Sequence, residues 1–218
     1  MKLMSFSPFL KAGIFSLFVL LLSCTKDSLP KENPTINKNQ LDLQIMALPK
    51  EPLSEIEKNS LLLMREEEKL ARDVYTTLNE KWNRRVFANI TQSEQTHMNI
   101  LLLLLEKYDI PDPAAETAAG VFINNTMTKL YADLIQKGSL SLQDAFQVGM
   151  TIEDLDIFDL DNALNGEIDN KDILLVYGSL RGASTNHMRA FYRNLTGVGG
   201  SYTPQYISMS LFNEIINQ

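Results

Sequence analysis

Cysteine is nearly absent from this chain. Cys24 is the only one, so no disulfide can close within the chain and no thiolate cluster can hold zinc or an iron–sulfur centre. Basic runs are missing too: 20 Lys and Arg stand against 27 Asp and Glu, for a net charge of −7. With no stripe of cations to meet phosphates, nucleic acid is excluded as a natural partner. The apolar run 13–22 is too short to cross a bilayer. Strand signals are weak from residue 51 onward, and histidine is down to two residues, His97 and His187. What the chain does have is apolar mass. Of its 218 residues 44% are hydrophobic, enough for the core of one ordinary domain and short of two comfortable ones.

The first residues read as a targeting segment rather than as part of the fold. Lys2 and Lys11 precede an apolar stretch that closes on 21-LLSC-24. That closure resembles the lipobox of bacterial lipoproteins, and the start CTKD resembles lipoproteins of Bacteroidetes-type bacteria. The resemblance implies a signal peptide over 1–23, lipidation at Cys24, membrane lipid as a partner and a place in the cell envelope. Multiple acyl chains on one cysteine would hold such a protein stably at a membrane surface. Removing 1–23 takes away Lys2 and Lys11 and no acid, leaving a charge of about −9. Residues 24–50, rich in Pro, Asn, Lys and Ser over their first part, are expected to form a flexible tether. Residues 51–218 are the expected helical domain.

Within that domain the punctuation is helical. Ser54 and Glu57 form a capping-box pattern behind Pro52 and open a helix to about 81. A second helix is expected over 86–108. The stretch 109-DIPDPAAETAAGVFINN-125 then breaks the pattern with two prolines and a glycine, before a short helix at 126–137 that stops at Gly138. Ser141 and Asp144 open a third long helix to about 164, and a fourth runs from about 170 to 195. An amphipathic tail over 205–217, with Ile207, Leu211 and Ile215 on one face, is expected to pack as an accessory helix. Four long helices with a long connection between the second and third predict an all-α, ferritin-like layout rather than a plain up-and-down one.

Bundle helices place core residues at alternating spacings of three and four. The first helix reads Leu61, Met64, Glu68, Ala71, Tyr75, Leu78, Trp82 along that seam, and the second reads Phe87, Ile90, Glu94, His97, Leu101, Leu104, Tyr108. The third carries Glu153 and Asp156 among apolar residues, and the fourth carries His187. Every seam is apolar except near its middle. Glu66 and Glu67, beside Glu68, are expected to face solvent. An ionised carboxylate buried without a partner is too costly to keep, and several in one layer repel unless a cation or protons join them. Carboxylates mixed with imidazoles suit iron, manganese or zinc, and oxygen-rich mixtures favour the first two. Glu94 and His97, at i and i+3, share a face and can reach one centre. A Glu-x-x-His is common by chance, and a lone seam histidine is more often a satisfied core residue. The weight lies in both histidines of the chain falling at mid-seam.

The stretches 66-EEEKLARDVY-75, 87-FANITQSEQTHM-98, 149-GMTIEDLDIFDL-160 and 184-STNHMRAF-191 together resemble the ferritin-like superfamily of ferritins, bacterioferritins and rubrerythrins. Residues 51–195 look most like an uncharacterised bacterial and archaeal branch of it. Carried over, the resemblance implies Glu68 as a first-helix metal ligand, followed by Ala71 and Tyr75. It implies Glu94 and His97 as the second-helix pair with Glu94 bridging two metals, Glu153 as the third-helix ligand and His187 as the fourth. The family's second Glu-x-x-His is not matched, because Ser184 stands where the acid belongs; Asp156 is the candidate sixth ligand. Tyr75, Ser184, Arg72 and Asn186 are candidates for supporting the ligands, with surface or packing roles equally open to Arg72 and Asn186.

The function implied is a membrane-anchored protein with a two-metal centre, iron first and manganese next, oxidising Fe(II) or reducing oxygen or peroxide. No rubredoxin-type cysteine cluster is present to carry electrons, the electron donor is open, and a homodimer is compatible. The alternative is a non-enzymatic envelope module with a vestigial or single-metal site.

Overall fold

Hydroxyl and amide side chains set the helix boundaries. Ser54 accepts a hydrogen bond from the Glu57 N–H while the Glu57 carboxylate takes the Ser54 N–H, completing the expected capping box. Ser141 caps with the Asp144 N–H, Ser208 with that of Leu211, and Asn124 with that of Thr126. The computed structural model describes residues 38–218. The signal-peptide reading of 1–23, lipidation at Cys24 and the first part of the tether lie outside the described residues. Among those described there are seven helices and no strand: α1 (Lys38–Ala47), α2 (Glu55–Trp82), α3 (Arg85–Lys107), α4 (Asn125–Gly138), α5 (Leu142–Leu164), α6 (Lys171–Gly197) and α7 (Met209–Ile216). None of the described helices is long and apolar enough to cross a membrane.

The four long helices form two hairpins. α2 turns into α3 at Asn83, whose left-handed backbone (φ 47°) lets its N–H close on the Asn79 carbonyl. α5 packs on α6, α2 on α5 and α3 on α6, so the four enclose one interior. That interior has two apolar halves. One gathers Tyr75, Phe87, Phe146 and Phe191 with α4 and α7 packed around it. The other gathers Leu61, Leu101, Leu104, Leu160, Val176 and Leu180. On every long helix the chain passes from one half to the other through the polar positions at its middle. The apolar seam positions 61 to 78 and 87 to 108 are buried as expected, whereas Trp82, Ala163, Ala183 and Ala190 are half-buried.

Two expectations are corrected. Residues 38–47, read as tether, form α1, because Leu41 and Ile45 at i, i+4 bury themselves on α3 and α6. The Lys107 ammonium secures its end by donating to the Ile45 and Leu48 carbonyls. Glu66 and Glu67 do not face solvent: both are buried. The long connection folds back over that side of α2. Arg65 pairs with Asp112 at 2.7 Å, Lys69 donates to Asp73 and to the Ala118 carbonyl, and Glu66 accepts the N–H groups of Ile123 and Asn124. Arg65, Glu66 and Lys69 of this polar run are thus buried with a partner for each charge.

Gly149 of α5 sits where no side chain fits. A Cβ there would lie 2.6 Å from the Phe191 ring, which is itself packed at 5.1 Å on Tyr75 and 5.5 Å on Phe87. With that ring unable to retreat, Gly149→Ala should destabilise the protein by about 1–3 kcal/mol, seen as a lower urea midpoint. An unchanged midpoint would show that the aromatic cluster yields.

Candidate metal centre

Between the two apolar halves lies a layer of Glu68 from α2, Glu94 and His97 from α3, Glu153 and Asp156 from α5, and His187 from α6, all buried. Helical spacing brings them there: Glu94 and His97 lie one turn apart on the same face of α3. They converge in two groups, each with potential ligand atoms within 4.8 Å of one another. Glu68, Glu94 and His97 make the first; Glu94, Glu153 and His187 make the second. Glu94 belongs to both, and it divides its oxygens between them. Its Oε2 lies 2.7 Å from His97 Nδ1 and its Oε1 lies 2.9 Å from His187 Nδ1. Glu68 Oε2 completes one side at 3.0 Å from His97 Nδ1, and Glu153 Oε2 the other at 3.5 Å from His187 Nδ1.

Closeness here does not mean satisfaction. Glu94 Oε1, Glu153 Oε2 and His187 Nδ1 are all buried with no hydrogen-bond partner. The 2.9 Å approach of His187 to Glu94 is a contact of charges whose angles do not make a hydrogen bond. Three orphaned ligand atoms aimed at one point are what a bound cation would resolve, since buried polar atoms otherwise find partners. The donor set fits such an ion: carboxylate oxygens and imidazole nitrogens.

The remaining edges of these ligands are pinned by neighbours. The Tyr75 hydroxyl donates to Glu153 Oε1 at 2.6 Å, which leaves Oε2 to face inward. The Nε2 atoms of both histidines meet the same hydroxyl, Ser93 Oγ, at 3.0 Å for His187 and 3.4 Å for His97. One hydroxyl oxygen can accept from both rings, directing both Nδ1 atoms at Glu94. The rings themselves are nearly parallel, with centroids 5.6 Å apart. Sequence reasoning missed Ser93, although its place four residues before His97 puts it on that histidine's face.

The other candidates fall elsewhere. Asp156 is buried in the layer but in neither group. Ser184 turns its hydroxyl to the Leu180 carbonyl of its own helix. Arg72 pairs with Asp73 and Gln95, and Asn186 is exposed and bonds Gly182 and Arg189; neither reaches the layer.

Protonation follows burial and company. Burial drives the Glu68 carboxyl up to about 8 despite the neighbouring His97, with Glu94 adding repulsion. Asp156 is raised well above the usual carboxylate range by burial and then by Glu153, Glu68 and Glu67. Glu94 goes the other way: burial would raise it, but the imidazoles of His187 and His97 outweigh that and hold it ionised. Burial likewise opposes charge on the histidines and loses. Glu68 and Glu94 raise His97 well above its ordinary value, and Glu94 and Glu153 raise His187 to about 10. Without a metal, protons hold this layer together.

Residues 57–218, which contain every one of these side chains, match the family described as "Uncharacterized protein domain (DUF2202)". The chain is 55% identical over 173 residues to the uncharacterized protein MJ0754 of Methanocaldococcus jannaschii, covering 79% of this chain and 93% of that protein. The crystal structure of the hypothetical protein MJ0754 from Methanococcus jannaschii superposes with a TM-score of 0.77 at 55% identity, over 79% of this chain and 98% of that one.

The pKa shifts have one sign above neutrality. Glu68, His97 and His187 all hold protons more tightly folded than unfolded, so stability falls as pH rises. The His187 share is complete below 6.5 and is lost as pH climbs through about 10; the Glu68 share is lost between 4.5 and about 8. Thermal melts of metal-free protein should therefore show Tm falling from about pH 6 to about pH 10, with His187→Gln flattening the upper part of the fall. Equal slopes for the two proteins would contradict the assignment.

Proposed function

The chain belongs to the DUF2202 family, and from that premise we propose that it is a metal-binding protein whose layer holds two ions, iron by preference, on either side of Glu94. The carrying observation is the division of one carboxylate: Oε2 toward His97 and Oε1 toward His187, with Glu68 and Glu153 closing the two sides. A carboxylate so divided would offer one oxygen to an ion on each side, and this supports the ferritin-like reading of the sequence. Hard oxygen donors with one imidazole on each side favour iron and manganese over softer metals. Bound iron would supply one-electron chemistry toward dioxygen or peroxide.

The protein's own contribution is placement. Tyr75 holds Glu153, Ser93 holds both imidazoles, and the leucines of α3 beyond His97 keep water from one side. Ligation must displace the protons that the metal-free layer carries on His97, His187 and Glu68. The apolar run and 21-LLSC-24 support a lipid anchor at Cys24 and a place in the cell envelope for this reading.

Ser184 favours a second reading. With its hydroxyl turned to Leu180, α6 brings only His187 to the layer, and the second side would be too poor to hold an ion. The protein would then be a single-metal or non-enzymatic module. The two readings separate by stoichiometry. Anaerobic titration with Fe(II) at pH 7.5 should load about two ions per chain and release about three protons per chain into weak buffer. Glu94→Gln should lose both ions, because it serves both sides. One ion per chain, insensitive to His187→Gln, would establish the single-metal form of the second reading, and no bound ion would sink the first reading and leave the non-enzymatic module.

A further inference from the structure

Glu67 has no place in that centre, yet it is buried, and its Oε2 has no hydrogen-bond partner. Its neighbours show how this protein normally treats a buried acid. Glu66 accepts two backbone N–H groups, and Asp154 takes those of Gln205, Tyr206 and Ile207. Glu67 faces another carboxylate instead, Asp159 of α5. Two carboxylates face to face hold together only by sharing a proton or a cation.

The position of the pair gives it a use. Asp159 is only half-buried and forms part of the wall of a cleft of about 420 Å³ between α2 and α5, alongside Ser60, Leu63, Met64 and Asn162. Inward of Asp159 comes Glu67, one residue before Glu68. On α5, Asp159, Asp156 and Glu153 follow one another at spacings of three, which carries the acids from the cleft wall to the layer along one side of the helix. Carboxylates therefore continue from the cleft to the first side of the centre, through a wall that is otherwise apolar at Leu63 and Met64. Such a row offers a hard cation successive oxygen ligands, so it need not lose all its water in one step.

We infer that Glu67 and Asp159 form a transit site through which a divalent cation passes from the α2–α5 cleft to the buried centre. This rests on the two-metal reading of the layer. The pair binds the ion in passing; the resting ligands remain Glu68, Glu94, His97, Glu153 and His187.

Stopped-flow uptake of Co(II), followed by its visible absorption, tests this on the full chain. Glu67→Gln and Asp159→Asn, each confirmed as folded by its helical signal and melting curve, should slow uptake about tenfold. Both should reach the same final amount of bound Co(II) as the wild type. Glu80→Gln, which removes an exposed acid from α2 away from the cleft, should load at the wild-type rate. Wild-type rates in both transit variants would overturn the inference while leaving the centre intact. A lower final stoichiometry in Glu67→Gln would overturn it by making Glu67 a resting ligand. If the wild type takes up no Co(II), the two-metal reading falls and the transit site with it.

Discussion

One carboxylate between two imidazoles organises the interior of this protein. Glu94 is fully enclosed, ionised, and shared by His97 and His187 through separate oxygens. Three of the four long helices meet through that contact or one step from it: α3 supplies Glu94 and His97, α6 supplies His187, and α2 brings Glu68 to His97. α5 joins through Glu153, next to His187. Bundles are commonly held by apolar seams alone, and here the seams hold two apolar halves while the polar layer registers the helices against each other.

Such a layer is expensive in free energy unless its charges are met. The chain meets them from outside inward. Tyr75 takes one oxygen of Glu153, Ser93 takes the outer nitrogens of both rings, and the atoms left without partners are those that face one another. A structural polar layer would be closed on itself by hydrogen bonds. In this one Glu94 Oε1, Glu153 Oε2 and His187 Nδ1 stay open, so the geometry that explains the fold also leaves a group of atoms that could hold a metal ion.

Much of this was legible in the sequence because helical periodicity is local. The capping residues Ser54 and Ser141, the seam register of all four long helices and the convergence of Glu68, Glu94, His97, Glu153 and His187 can each be read from spacings of three and four. What was not legible depends on contacts distant in the chain. Glu66 and Glu67 look like an ordinary solvated face of α2 until residues 112–124 fold over Glu66 and Asp159 of α5 meets Glu67. Helix α1 sits in a stretch whose composition reads as linker, and only its burial on α3 and α6 makes Leu41 and Ile45 count. Ser93 gives no signal of its own, since a serine beside an acid on a helix is unremarkable until two imidazoles turn toward it. Arg72 and Asn186 lie near the ligands in sequence but point to the surface, a matter of facing that one-turn uncertainty in register cannot settle.

The shared carboxylate also fixes where bound ions should appear. Crystals grown with Fe(II) under nitrogen, measured at the iron absorption edge, would show it directly. The account predicts two anomalous peaks inside the helices, one on the Glu68–His97 side of Glu94 and one on the Glu153–His187 side. A single peak confined to one side, or iron bound only at the surface with the layer still closed by protons, would contradict it.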